Sequence, residues 1–209
     1  MNMHSDLALE YRHLEEVSST NDFLRAYEPM ADVTVLSASY QTNGRGQMGN
    51  TWISNSGENA LFSILVCPSA LKASDGFVLS QAMALSIKEV LDAYLEGISI
   101  KWPNDIYCGD EKICGILIEN SLKGSEIDWS IIGIGLNVNQ TSFPEHLPNP
   151  TSMRLCTGNS NPYNTREILE EFMGIFTGYY REYLNGNGAL DRLEEQFVSN
   201  LRTNLSSPR

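Results

Sequence analysis

Positive charge is scarce in this chain of 209 residues: 14 lysines and arginines stand against 26 aspartates and glutamates, a formal net charge of −12. Binding a nucleic-acid backbone calls for clustered Lys and Arg, so the balance argues against that function. Any small anion the protein binds must meet cations concentrated locally. Cysteine is sparse too. Cys67, Cys108, Cys114 and Cys156 show no Cys-x-x-Cys spacing and no nearby histidine, which argues against structural zinc and fits reduced thiols. No apolar run approaches the ~20 residues a membrane span requires. Asp6, Glu10, Arg12 and His13 occupy the stretch where a signal peptide would need its apolar core. The expectation is a cytoplasmic protein with no membrane or nucleic-acid partner. With 42% apolar and 19% charged residues it can bury an ordinary core, and one domain over residues 1–209 is the default.

What is present centres on Gln41 to Trp52, where Gly44, Gly46 and Gly49 surround Arg45 in a loop that opens straight after an apolar strand, Val33 to Tyr40. Glycines can take positive φ and bring backbone N–H groups close to an anion, with Arg45 as a fixed cation among them. The same composition also suits any long surface turn. No Gly-Lys-Ser/Thr follows, as a Walker loop needs, and no helical period starts at the last glycine, as a dinucleotide fingerprint needs. Any ligand is therefore held by a loop between strands.

Tyr11 to Val17 reads as a strand, and Ser18 to Asn21 as N-cap chemistry for a short helix that also offers donors to a ligand. Ala60 to Val66 is a buried strand, and Ser74 to Leu95 an amphipathic helix with Asp75 in its first turn, stopped by Gly97. Ile98 to Asn120 reads as two strands about one turn at Gly109 to Glu111. Lys101-Trp102-Pro103-Asn104-Asp105 and Lys112 are badly placed for a plain hairpin. Gly115 inside the second strand suggests close approach by a ligand or another backbone, whereas an edge lysine alone serves only to prevent aggregation. In the strand Ile127 to Asn139, Gly133 and Gly135 share one face by the two-residue period, leaving room for a flat group or a packed neighbour. Thr165 to Leu201 reads as two helices joined by Asn185 to Gly188, with apolar stripes through Ile168, Phe172 and Phe176 and through Leu190, Leu193 and Phe197. The fold class expected is α+β: a mixed or antiparallel sheet flanked by helices, with a helical part over residues 165–202.

Four motifs, Gly44-Arg45-Gly46 through Gly49 to Trp52, Lys101 to Asp105, Lys112 to Gly115, and Gly133 to Asn139, stand in the order and spacing of biotin protein ligases, also called biotin–acetyl-CoA-carboxylase ligases. The chain resembles that family over roughly Val17 to Leu155. The resemblance implies ATP-dependent activation of biotin as biotinyl-5′-adenylate, then transfer to a lysine of a biotin carboxyl carrier protein. It implies that Ser19, Thr20, Asn21 and Gln41 meet the ring end of biotin, and that Gly44, Arg45 and Gly46 close over biotin and the adenylate. Lys112 would reach the biotin carboxylate and the α-phosphate, Gly115 would leave room for the biotin tail, and Trp52 and Asn137 would meet the adenylate. Two anions must approach each other, so Arg45, Lys112 and a magnesium ion held largely by phosphates would lower the barrier. No enzyme nucleophile is needed, and His4, His13 and His146 lie outside the motifs. Asp105 is the candidate for orienting the carrier lysine.

Two departures matter. Many members carry arginine where this chain has Gln47 and Asn50, so its adenylate is expected to be held less firmly, and Gln47→Arg to slow its release. The small all-β C-terminal domain usual in the family is expected to be missing, as is a DNA-binding segment before Tyr11. A lipoate or octanoyl transferase of the related fold and a non-catalytic biotin-binding module remain alternatives, and a homodimer is left open.

Overall fold

The computed structural model describes residues 7–68, 71–184 and 190–202. Its frame is a seven-stranded sheet in the order β1-β2-β3-β7-β6-β5-β4. The strands are β1 (Leu9–Val17), β2 (Val33–Gln41), β3 (Ala60–Val66), β4 (Ile98–Lys101), β5 (Asp105–Cys108), β6 (Glu111–Lys123) and β7 (Glu126–Leu136). β1 runs parallel to β2 and every other pair is antiparallel, so the sheet is mixed, as expected.

Helices α2 (Phe77–Asp92), α4 (Thr165–Tyr179) and α5 (Leu190–Ser199) cover one face. The short α1 (Thr20–Arg25) lies on the other, and α3 (Met153–Thr157) follows the last strand. β3 is buried at every position because it is central and covered on both sides. Its Phe62, Ile64 and Val66 join the large helical core, and Leu65 joins Leu24, Leu36 and Ile131 in a small cluster under α1. The lightly covered face thus leaves space for a ligand beside α1. Strand register lines up three rows on it: Leu36–Ser63–Gly133–Leu117, Ala38–Leu61–Gly135–Gly115–Asp105, and Thr34–Leu65–Ile131–Glu119.

Several boundaries differ from the sequence reading. The helix expected over Ser74 to Leu95 is α2 alone, preceded by a separate 3-10 turn at Ala73–Asp75. It is buried nearly all round instead of amphipathic, because α4 and α5 cover its outer side. The region expected as two strands holds three: pairing also turns at Trp102-Pro103-Asn104, where Pro103 has no N–H for the ladder. β7 stops at Leu136, short of Asn139: Asn137 N still donates in register to Ile113 O at 2.9 Å, but Asn137 O accepts from Met153 N and Val138 N turns to the Asn59 side chain at 3.0 Å. Of the two C-terminal stripes, Ile168, Phe172, Phe176, Leu193 and Phe197 are buried as expected. The expected turn at Asn185 to Gly188 lies outside the described residues. No helix among the described residues is long and apolar enough to cross a membrane.

Candidate functional site

A cavity of about 230 Å³ opens on the lightly covered face, between the α1 N-terminus, the glycine loop and the middle of β6 and β7. All the site residues expected from the sequence line it except Gly44 and Asn137. Its inner end is polar. Ser19 caps α1, its Oγ accepting from Asp22 N, and so places Thr20 and Asn21 at the start of the helix, both buried. Gln41 Oε1 accepts from Thr20 N at 2.8 Å and from Thr20 Oγ1 at 3.1 Å. Ser63, fully buried, lies 2.6 Å from both Thr20 Oγ1 and Asn21 Oδ1. Its single proton serves one of them at a time, so the other keeps capacity to accept from a ligand.

The face cleared by glycine is occupied by the protein itself. A Cβ at Gly133 would stand 2.2 Å from Asn21 Oδ1, one at Gly135 would stand 2.3 Å from Trp52 Cε2, and one at Gly115 2.9 Å from Trp52 Cζ3. The flat group accommodated there is the Trp52 indole, and its Nε1 is buried without a partner. Positive φ in the loop falls on Met48 (53°) and Gly49 (80°), not on Gly44 or Gly46. At Gly44 the requirement is space, since a Cβ would meet Trp52 O at 2.4 Å.

Lys112 reaches this face through an irregularity. Ile106 pairs with Cys114 but Tyr107 pairs with Lys112, so Ile113 is an extra residue on β6. Without the bulge, alternation from Gly115 would send Lys112 to the core side. With it, Lys112 shares the face of Tyr107, Asp105 and Gly115. Its Nζ is 2.7 Å from Asp105 Oδ1 and 5.8 Å from the Trp52 ring centre. The pair is an ionic contact without hydrogen-bond geometry, since Asp105 Oδ1 has no hydrogen-bond partner. Beyond Lys112 and Trp52 lies a second cavity of about 630 Å³, walled by Asn137 and by Phe143 to Pro150. Asn137 gives its Nδ2 to Thr151 O at 2.9 Å, and its Oδ1 is buried unpaired. Asn104 also lines the first cavity, with its Nδ2 donating to Ile116 O at 2.6 Å.

Arg45 lines the first cavity but is not free. Its guanidinium is bound by Asp22 at 2.8 Å and by Glu119 at 3.1 Å. Burial pushes its pKa down, but Glu119 and then Asp22 outweigh this and the net shift is upward. Ser63, Asp22, Glu119 and the Phe143 to Pro150 wall were not anticipated. The available signal for Ser63 was a lone polar residue inside an otherwise apolar strand; Glu119, followed by Asn120 and Ser121, carried no such signal.

The family model of the biotin/lipoate A/B protein ligase family matches residues 14–137. The bifunctional ligase/repressor BirA of Bacillus subtilis is 30% identical over 177 residues, 82% of this chain and 54% of that protein. The biotin–[acetyl-CoA-carboxylase] ligase of Mycobacterium tuberculosis is 31% identical over 157 residues, 68% of this chain and 55% of that protein. The chain thus spans about half the length of the curated relatives it matches. The solved structure of Aquifex aeolicus biotin protein ligase in complex with biotin and ATP is 29% identical with a TM-score of 0.78, covering 92% of this chain and 78% of that one. By matched sequence and by fold, this chain belongs to the biotin/lipoate A/B protein ligase family.

Proposed function

We propose that the protein joins biotin and ATP into biotinyl-5′-adenylate and passes the biotinyl group to a lysine of a carrier protein, that of acetyl-CoA carboxylase being the candidate. The observation that carries this reading is the pair of cavities meeting at Lys112 and Trp52, one lined with polar acceptors and one larger. A ligand with N–H donors and a carbonyl at a compact ring end suits the acceptors at Thr20 and Asn21 and the amide donor of Gln41, and a nucleotide suits the larger space. The biotin and ATP of the Aquifex complex support the assignment.

In the first step a biotin carboxylate oxygen bonds to the α-phosphorus as the bond to the β-phosphate oxygen breaks and pyrophosphate leaves. Both reactants are anionic, so an ammonium at the seam stabilises the charge that builds there. Lys112, which lines both cavities, is the candidate for that ammonium. In the second step the carrier amine attacks the acyl carbon, AMP leaves, and the amine loses a proton, for which Asp105 at the cavity wall is the candidate acceptor. Among the described residues no group of three or more His, Cys, Asp and Glu side chains is placed to hold a metal ion. Magnesium would therefore be carried on the nucleotide phosphates, supplying charge neutralisation. Consumption of ATP and four free thiols fit the cytoplasm.

The test is ligand-dependent exchange of pyrophosphate into ATP. Exchange driven by biotin, followed by labelling of a carrier domain, supports the proposal. Exchange driven only by lipoate would reassign the substrate, and biotin binding without exchange would leave a binding module.

A further inference from the structure

Glu119 and Asp22 lie outside every motif, yet together they account for the position of Arg45. Arg45 Nη1 is 2.8 Å from Asp22 Oδ1 and 3.2 Å from Glu119 Oε2, and Nη2 is 3.1 Å from Glu119 Oε1. Arg25 joins from α1, 2.9 Å from Asp22 Oδ1 and 2.7 Å from Glu119 Oε1. Two guanidinium groups and two carboxylates cancel, so the cluster offers no net charge to an incoming anion. It is also anchored. Glu119 sits on β6, and its Oε2 accepts from Asn21 Nδ2 at 2.9 Å, where Asn21 is itself held by Ser63.

The loop is held at its ends, where Thr42 N and Asn43 N donate to Val17 O and Ser18 O and the Trp52 indole packs on Gly115 and Gly135. Between them it has little else to hold it down. Trp52 N donates to Gly44 O and Gly46 N to Asn50 O, bonds that tie the loop only to itself, and Met48 is wholly exposed. Among the described residues, Arg45 makes the only side-chain hydrogen bonds between residues 44–51 and the rest of the protein. We propose that Arg45 is a strut and not a ligand cation, and that Glu119 and Asp22 are the positioning residues that hold the glycine loop over the cavity through it. The charge of the reacting groups is then left to Lys112 and the loop's backbone N–H groups. This rests on reading the cavity as the biotin end of a ligase site.

The two roles for Arg45 predict opposite signs. If Arg45 were a ligand cation parked by carboxylates, Glu119→Gln would release it and tighten ligand binding. If it is a strut, Glu119→Gln loosens the loop. Asp22→Asn, from a different element, is the second variant. In full-length ligand-free protein, trypsin cleavage at the Arg45–Gly46 bond is followed by mass spectrometry. A strut predicts cleavage faster by about tenfold in each variant, a figure below the full value of a charged hydrogen bond because these side chains are partly exposed. It also predicts faster biotin dissociation and a raised KM for biotin in exchange, with kcat retained. Unchanged cleavage in both variants, or slower biotin release from either, overturns the proposal. If wild-type protein fails to bind biotin, the ligase reading falls, and the cleavage rates still decide whether Arg45 holds the loop.

Discussion

Two glycines separate the account of the site from general glycine chemistry. Gly135→Ala puts a Cβ 2.3 Å from Trp52 Cε2 and 2.6 Å from Nε1, where ordinary contact begins at 3.4 Å, so the indole must rise by roughly an ångström. It cannot simply slide, because Gly115 receives the other edge of the same ring. Overpacking of this kind costs about 1–3 kcal/mol, which for a chain of this length is a fall in Tm of roughly 2–12 °C. The ring also stands where the two cavities meet, so KM for biotin in pyrophosphate exchange should rise. Gly174→Ala is the control: it sits within α4 and its Cβ meets nothing within 4 Å. There alanine gains helix propensity, about 0.8–1 kcal/mol, and Tm should rise by about 2–4 °C with exchange unchanged. Thermal melting and exchange kinetics of both variants decide it. A Gly135→Ala protein that melts no lower than wild type and exchanges normally would refute the placement of Trp52.

Asp105→Asn should leave exchange within a few-fold of wild type but slow transfer of preformed adenylate to a carrier by about a hundredfold, the low end for a lost proton acceptor. Single-turnover transfer measures it. Ser63→Ala removes a fully buried hydroxyl shared by Thr20 and Asn21 and should cost ~1–3 kcal/mol in urea unfolding, with weaker biotin binding by calorimetry. Burial pushes the Tyr180 phenol up to about 12 from an ordinary 10, with Cys67 and Asp32 adding to the shift. The neutral form is favoured in the fold, so this stability is intact below pH 10 and is lost as pH rises toward 12, by up to roughly 2–3 kcal/mol. Tyr180→Phe should flatten that part of the curve in unfolding measured from pH 9 to 11.

How legible the molecule was in its sequence depended on how local each cause is. β3 could be read directly, because Ala60 to Val66 is an apolar run broken only by Ser63 and bounded by turn residues. The Ser19 cap depends on a partner three residues away, and it too was readable. The bulge at Ile113 was not, because Ile113 and Cys114 are both apolar and periodicity cannot show which is the extra residue. Nor was the fate of Arg45, since Glu119 lies 74 positions along the chain and only strand register brings it to the loop. The glycines at 133 and 135 were read rightly as a cleared face, but what fills it comes from α1 and from the far end of the glycine loop.

The central claim is that the bulge places the Lys112 ammonium where biotin's carboxylate and the α-phosphate meet. The most direct measurement is biotin-dependent ATP–pyrophosphate exchange by Lys112→Met beside wild type, with folding checked by thermal melting. The account predicts that kcat falls by about 10²–10³, the usual loss when a transition-state charge partner is removed. A folded Lys112→Met protein that exchanges at the wild-type rate would contradict it.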